Sequence, residues 1–147
     1  MRGELIGEGL VIVRGAGDGF VQEIAAGTHR LRSDEPAAVG GTDSGPTPYD
    51  LLLAALGSCT SMTLAMYARR KQWPLQRVAV RLRHSRVHAE DCAACEASDA
   101  RLTVIDRDIT VEGPLDETQR GRLLEIANRC PVHLTLTSRM EIRTTLE

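Results

Sequence analysis

Four cysteines in 147 residues are the side chains with most chemical scope. Cys59 lies inside a long apolar run, Cys130 stands directly before a proline in ANRCPVHL, and Cys92 and Cys95 form a Cys-x2-Cys pair preceded by His84 and His88. The thiolate is both the nucleophile and the metal ligand, so each site depends on surroundings that favour the anion. On a helix, Leu52, Ala55, Leu56, Met62 and Met66 share the face of Cys59 at i, i+3, i+4 and i+7 spacing. Apolar surroundings keep a thiol protonated and inert, so a small buried hydrophobe is the plain reading of Cys59. Cys130 continues the stripe Leu123, Ala127 of a second helix, and Pro131 suits the first position of a new helical turn, where a thiolate is favoured. The two are either a nucleophile and its resolving thiol or two core residues.

The set His84-x3-His88-x3-Cys92-x2-Cys95 has ligand types and intervals that suit tetrahedral zinc. A redox Cys-x2-Cys pair and incidental cysteines in a solvated loop are the competing readings. Asp91 and Glu96 oppose a thiolate there, and His84 shares a strand face with Val78, Val80 and Leu82 as a core histidine would. His29 and His133 show no partner pattern and read as structural.

The elements that must position these residues follow from periodicity and turn signals. Residues 9–32 read as three short antiparallel strands, Leu10–Arg14, Phe20–Ile24 and Thr28–Arg32, divided by glycine-rich turns. Residues 33–48 hold three prolines and no periodicity, a long loop of the kind that lines a site. Thr47 and Pro48 then open a helix that continues to Arg69, Arg70 and Lys71, whose charges suit a helix C-terminus. Its apolar residues cover almost the whole circumference, so it should be buried on most sides, with a second chain supplying cover that one small sheet cannot. Val78, Val80 and Leu82 alternate with Arg77, Arg81 and Arg83 in one strand, and residues 102–112 form the next, with Asp106 and Asp108 placed to face those arginines across an antiparallel pair. Asp116 and Gln119 have capping-box spacing ahead of a helix with Leu123, Leu124, Ile126 and Ala127 inward. Alternation from Leu134 to Leu146 predicts a final strand. The order gives an α+β class dominated by antiparallel pairing, in a single domain over residues 1–147.

Composition narrows the function. A formal charge of -2 and 3% aromatic residues argue against a general nucleic-acid binder, which needs phosphate attraction or stacking rings. The nearest run to a membrane span, residues 51–68, is interrupted by Gly, Ser, Cys and Thr. The N-terminus MRGELIGEGLVIVRG lacks the long apolar core of a signal peptide, so a cytoplasmic location is expected, where cysteines serve as thiols or metal ligands.

The run GPTPYDLLLAALGSCTSMTLAMYARR, followed some seventy residues later by ANRCPVHLTL, resembles the OsmC/Ohr superfamily of thiol peroxidases, from Gly40-Gly41 through the last strand. The resemblance implies antiparallel sheets wrapped around long central helices in an intertwined homodimer. It implies Cys59 as the peroxidatic thiol reducing organic hydroperoxides and Cys130, in CPV, as the resolving thiol. No cofactor is implied, but an external dithiol, of lipoyl type in the family, must reset the disulfide. The family's peroxidases also carry a glutamate ten residues before the helix cysteine, in N-P-E, and an arginine from the N-terminal hairpin. Here the glutamate position holds Tyr49, roughly 15 Å from Cys59 along a helix, and Asp50 falls about 180° around it. Arg14, Arg30 and Arg32 are the arginines to weigh. The PYDLLLAALGSCTSM run places the chain nearer the OsmC-like branch than the hydroperoxide-resistance branch. The alternative is a non-peroxidase binding module with a metal-binding loop at residues 84–95.

Overall fold

The computed structural model describes residues 9–88 and 101–147. The chain forms two compact units, one ending at Leu52 and the other running from Leu53 to Glu147.

In the first unit, β1 (Val11–Gly15), β2 (Gln22–Ala26) and β3 (His29–Ser33) form an antiparallel meander in sequence order. Ile24 of β2 lies between Val13 and Leu31, so apolar residues share one register row. Observed strands lie one or two residues from the expected ones. Arg32 pairs with its cross-strand neighbour Glu23 at 2.9 Å, and Arg30 donates to the carbonyls of Gly27 and His29.

The segment after β3 is ordered around one carboxylate. Asp34 is 1% exposed and accepts from the Glu35 N–H (2.8 Å), the Thr42 N–H and hydroxyl (3.1 and 2.6 Å) and the Ser44 N–H and hydroxyl (3.0 and 2.9 Å). The Thr42 hydroxyl bond leads the effects that hold its carboxyl far below the usual carboxylate range, against the cost of burial. Chain closure is tight: a Cβ at Gly41 would collide with the Glu35 carbonyl. The segment lines a cavity of about 490 Å³ with Phe20, Gln22 and Pro48.

The helix α1 spans Pro48–Lys71. Thr47 caps its start: the Asp50 N–H donates to the Thr47 hydroxyl (3.1 Å) and the Thr47 N–H to the Asp50 carboxylate (2.9 Å). At the other end Gln72 takes φ +58, with Gln72 N–H to Arg69 and Trp73 N–H to Ala68 carbonyl bonds, which together make a Schellman closure. By length and composition α1 is apolar enough to cross a membrane despite its Gly, Ser, Cys and Thr, as a helix of a protein core can also be.

In the second unit α1 lies against an antiparallel pair, β4 (Arg77–His88) and β5 (Arg101–Glu112). The register sets Arg81 opposite Asp108 and Arg83 opposite Asp106, as the alternation predicts. Val78, Val80, Leu82, Ile105, Ile109 and Val111 occupy the half-buried face. Gly57 lets α1 approach: a Cβ there would lie 2.8 Å from Leu82 Cδ1. The helix α2 (Glu117–Ala127) starts at a complete Asp116–Gln119 capping box. Leu64 and Tyr67 of α1 meet Leu115, Leu123, Ile126 and Ala127 in the core, with Trp73 and Val78 against them. Tyr67 and Trp73 stack edge to face at 5.4 Å. Two of the chain's four aromatic rings thus serve this one cluster.

The expected final strand is corrected, and within one chain the cover expected around α1 is partial. Within the single chain, α1 buries one stripe, Leu56, Gly57, Thr60, Leu64, Tyr67 and Ala68. Met62 and Met66, expected on the Cys59 face and inward, are 65% and 72% exposed. One sheet and one short helix cover only one side of a cylinder, whatever the apolar content of the other. The final strand is also absent: residues 131–137 form the helix α3 (Pro131–Thr137), and no regular element follows to residue 147. Pro131 at the first position and Cys130 as cap start a helix, and an alternating segment without a neighbour for its backbone groups forms no strand.

Candidate active site

The site arises where α1, β5, the α2–α3 junction and α3 meet in the second unit. Cys59 is half-buried on α1, next to the fully buried Thr60. Cys130 is 0% exposed and caps α3, its Sγ accepting the His133 N–H at 3.3 Å. The Val132 N–H points at Cys59 Sγ at 3.5 Å, and the Cys59 thiol is near enough to Cys130 to favour its anion. The first turn of α3 therefore gives one backbone donor to each sulfur, and two cysteines 71 positions apart in sequence share one site. A proline at the start of α3 serves this geometry, because it sets the backbone of the turn and takes no donor away from it.

Arg107 is the part that reading the sequence missed. It stands on the inward face of β5 between Ile105 and Ile109. Its guanidinium donates to Thr60 Oγ1 at 3.0 Å and Asn128 Oδ1 at 2.9 Å, and meets His133 Nδ1 at 3.2 Å. Among the described residues no Asp or Glu forms an ion pair with it. Thr60 links the arginine to the sulfur, with its hydroxyl 3.8 Å from Cys130 Sγ and 2.7 Å from the Leu56 carbonyl. Burial pushes the Cys130 thiol up. The His133 N–H, the Thr60 hydroxyl, the Cys59 thiol and the Arg107 charge outweigh it, so the net direction is down. Burial, then the Arg107 charge, lowers His133 as well. His133, without a partner pattern in the sequence, thus lies against the Arg107 guanidinium, to which a neutral imidazole can present an acceptor.

A signal for Arg107 was present in TVIDRDITVE. Once Asp106 and Asp108 are assigned to the solvent face, Arg107 falls in phase with Ile105, Ile109 and Val111. A cation in an apolar register row needs a reason to be there. Arg14, Arg30 and Arg32 belong to β1 and β3 of the first unit. The Asp50 carboxylate accepts the Thr47 N–H at the start of α1, and α1 is unbroken through Gly57.

A cavity of about 420 Å³ borders this network at Arg107, Asn128 and His133, and Leu56, Ile105, Ile109, Leu124 and Leu136 give it an apolar wall. His84 lies half-buried on the inward face of β4, as its phase predicts, while Cys92 and Cys95 lie outside the described residues. Among the described residues no group of three or more His, Cys, Asp or Glu is placed to hold a metal ion, so the zinc expectation has no support there.

Comparison with known proteins fits this architecture. The family model described as OsmC-like protein matches residues 41–145. A search of curated proteins finds no match. Among solved structures, an OsmC-like protein from Mycoplasma pneumoniae is 18% identical, with a TM-score of 0.66 over 86% of this chain and 84% of its own. An organic hydroperoxide resistance protein OsmC from Legionella pneumophila is 17% identical, with a TM-score of 0.63 over 87% and 88%. The organic hydroperoxide resistance protein OhrB of Bacillus subtilis is 18% identical, with a TM-score of 0.60 over 87% and 89%. With the family model matching well over half its length and these folds superposing on most of it, the chain belongs to the OsmC-like protein family.

Proposed function

We propose that this protein is a cysteine-based peroxidase that reduces organic hydroperoxides. The observation that carries the reading is the meeting of Cys59 and Cys130, each with a backbone N–H aimed at its sulfur. In the reaction the Cys59 thiolate attacks the distal peroxide oxygen, the O–O bond breaks, and the alcohol leaves after taking a proton. Cys59 is then a sulfenic acid. The Cys130 thiolate attacks its sulfur, water leaves, and a 59–130 disulfide remains. The half-exposed sulfur is the one a substrate reaches first, and the buried one is the resolving partner. An external dithiol, of lipoyl type in the family, returns both sulfurs to thiols, and no bound cofactor is needed. The apolar wall of the neighbouring cavity suits a fatty or aryl hydroperoxide better than hydrogen peroxide.

A cytoplasmic homodimer is part of the same reading. Met62 and Met66 on α1 and Ile142 and Leu146 beyond α3 are between 65% and 100% exposed, apolar surface of the kind a second copy covers. Sedimentation equilibrium at micromolar concentration should give twice the 16.0 kDa chain mass; a folded monomer would refute the dimer.

The test of the chemistry is mass spectrometry after one equivalent of cumene hydroperoxide. A 59–130 disulfide with loss of the peroxide is expected. Unreacted thiols after the same treatment would exclude the peroxidase and leave a binding module on the same fold.

A further inference from the structure

The two sulfurs of the site are unequal in ways that bear on how a disulfide between them would be opened. Cys130 is wholly buried, whereas Cys59 is partly open. Cys130 also has the richer set of donors: the His133 N–H at 3.3 Å, the Thr60 hydroxyl at 3.8 Å and, behind Thr60, the Arg107 guanidinium. Arg107 has only neutral partners among the described residues, Thr60, Asn128 and His133. A half-buried guanidinium so placed gains most when an anion forms beside it. The Thr60 hydroxyl has one proton and two acceptors, the Leu56 carbonyl and Cys130 Sγ. With Arg107 donating to its oxygen, that proton can turn to the sulfur once the sulfur is charged.

Thiol–disulfide exchange selects the sulfur that is attacked by access, and the sulfur that leaves by how well its thiolate is stabilised. Both criteria point the same way here. We propose that Arg107 is a positioning residue for re-reduction: acting through Thr60, it holds Cys130 as the leaving thiolate, so that the external dithiol attacks Cys59. One thiolate of the dithiol forms a bond to Cys59 Sγ, the 59–130 bond breaks, and its electron pair remains on Cys130. The second thiol of the reductant, as thiolate, then attacks its own sulfur of the mixed disulfide. A cyclic disulfide departs, Cys59 is released as thiolate, and two electrons have passed from the dithiol to the protein. The proposal rests on the disulfide invoked under the peroxidase reading, but the bond itself can be made without a peroxide.

The experiment uses the full-length protein oxidised with diamide. Dithiothreitol then reduces the disulfide under pseudo-first-order conditions, followed by acid quenching and mass. Arg107→Met is expected to slow reduction roughly 3- to 30-fold, the range given by a lost neighbouring charge acting on a leaving thiolate. Arg107→Lys should recover most of the rate, which a purely packing role would not predict. In the wild type, brief exposure to 2-mercaptoethanol followed by acid quenching and peptide mapping should place the adduct on Cys59. An adduct on Cys130, or reduction of Arg107→Met at the wild-type rate, overturns the proposal. So does failure of diamide to form the 59–130 bond, whereas failure of cumene hydroperoxide alone to form it overturns only the peroxidase reading.

Discussion

Asp34 and Cys130 are both wholly buried, both accept hydrogen bonds, and both are driven toward their anionic forms, yet they are built in opposite ways. All five donors to Asp34 come from Glu35, Thr42 and Ser44, at most ten residues away, at 2.6 to 3.1 Å. The contacts to Cys130 are longer, 3.3 Å from the His133 N–H and 3.8 Å from Thr60, a residue 70 positions earlier. A carboxylate saturated by short local bonds has no capacity left for a reaction and serves to shape a loop. A polarisable sulfur held by longer contacts keeps a lone pair available and depends on the packing of distant elements. Satisfied polar burial makes scaffolding in the first unit, and less complete satisfaction leaves a sulfur of the second with a lone pair to spare.

The sharpest test of that contrast is at the sulfurs. Cys59→Ser should bring cumene hydroperoxide turnover down to the uncatalysed rate, because a serine hydroxyl stays protonated and forms no sulfenate. Cys130→Ser should consume one equivalent and stop, with Cys59 trapped as sulfenic acid and detectable by a dimedone adduct. Turnover by Cys59→Ser, or consumption of more than one equivalent by Cys130→Ser with no dithiol present, would remove the reactive half of the comparison.

Stability should respond most at the carboxylate. Asp34→Ala strips a common acceptor from Thr42 and Ser44, leaving donors unpaired in a closed loop. The urea midpoint should fall more than for any cysteine variant, with limited proteolysis opening residues 34–46 first. An unchanged midpoint would show that the loop is held by something other than this carboxylate.

A pH experiment addresses the shared feature. Cys130 is lowered in the folded protein, so its contribution to stability is complete above the pKa of the unfolded thiol and is lost as pH falls through the folded value. In a Cys59→Ser background, urea unfolding should therefore show a gain in stability on going from pH 6 to pH 10. Adding Cys130→Ser should remove that part of the gain. The alkylation midpoint of Cys130 should lie below that of an unfolded thiol, and Arg107→Met should move it up.

The smallest expected effect is at a purely local device. Asp116→Ala breaks the capping box of α2 and should cost about 1 kcal/mol, read from the urea midpoint, without changing the yield of the 59–130 disulfide. A lost disulfide would mean that the α2–α3 junction depends on that cap to place Cys130.

Local chemistry was legible in the sequence wherever neighbours along the chain settle the outcome. The Thr47 and Asp116 caps, the hairpins of the meander, the facing of arginines and aspartates across β4 and β5 and the cap position of Cys130 all follow from residues within a few positions or from strict alternation. Family membership was legible too, because PYDLLLAALGSCTSM and ANRCPV lie within the matched residues 41–145. Tertiary packing alone decided which side of α1 is buried. Apolar residues on every side of a helix do not rank one another, and the choice fell to the stripe through Leu56, Thr60 and Leu64 that meets the sheet and α2. It also ended the expected last strand, since alternation gives a strand only where another backbone is present to receive its hydrogen bonds. And it chose Arg107: alternation put that residue on the inward face, but contact with Thr60, Asn128 and His133 joins positions 21 to 47 apart, a separation over which only the folded chain brings charge and sulfur together.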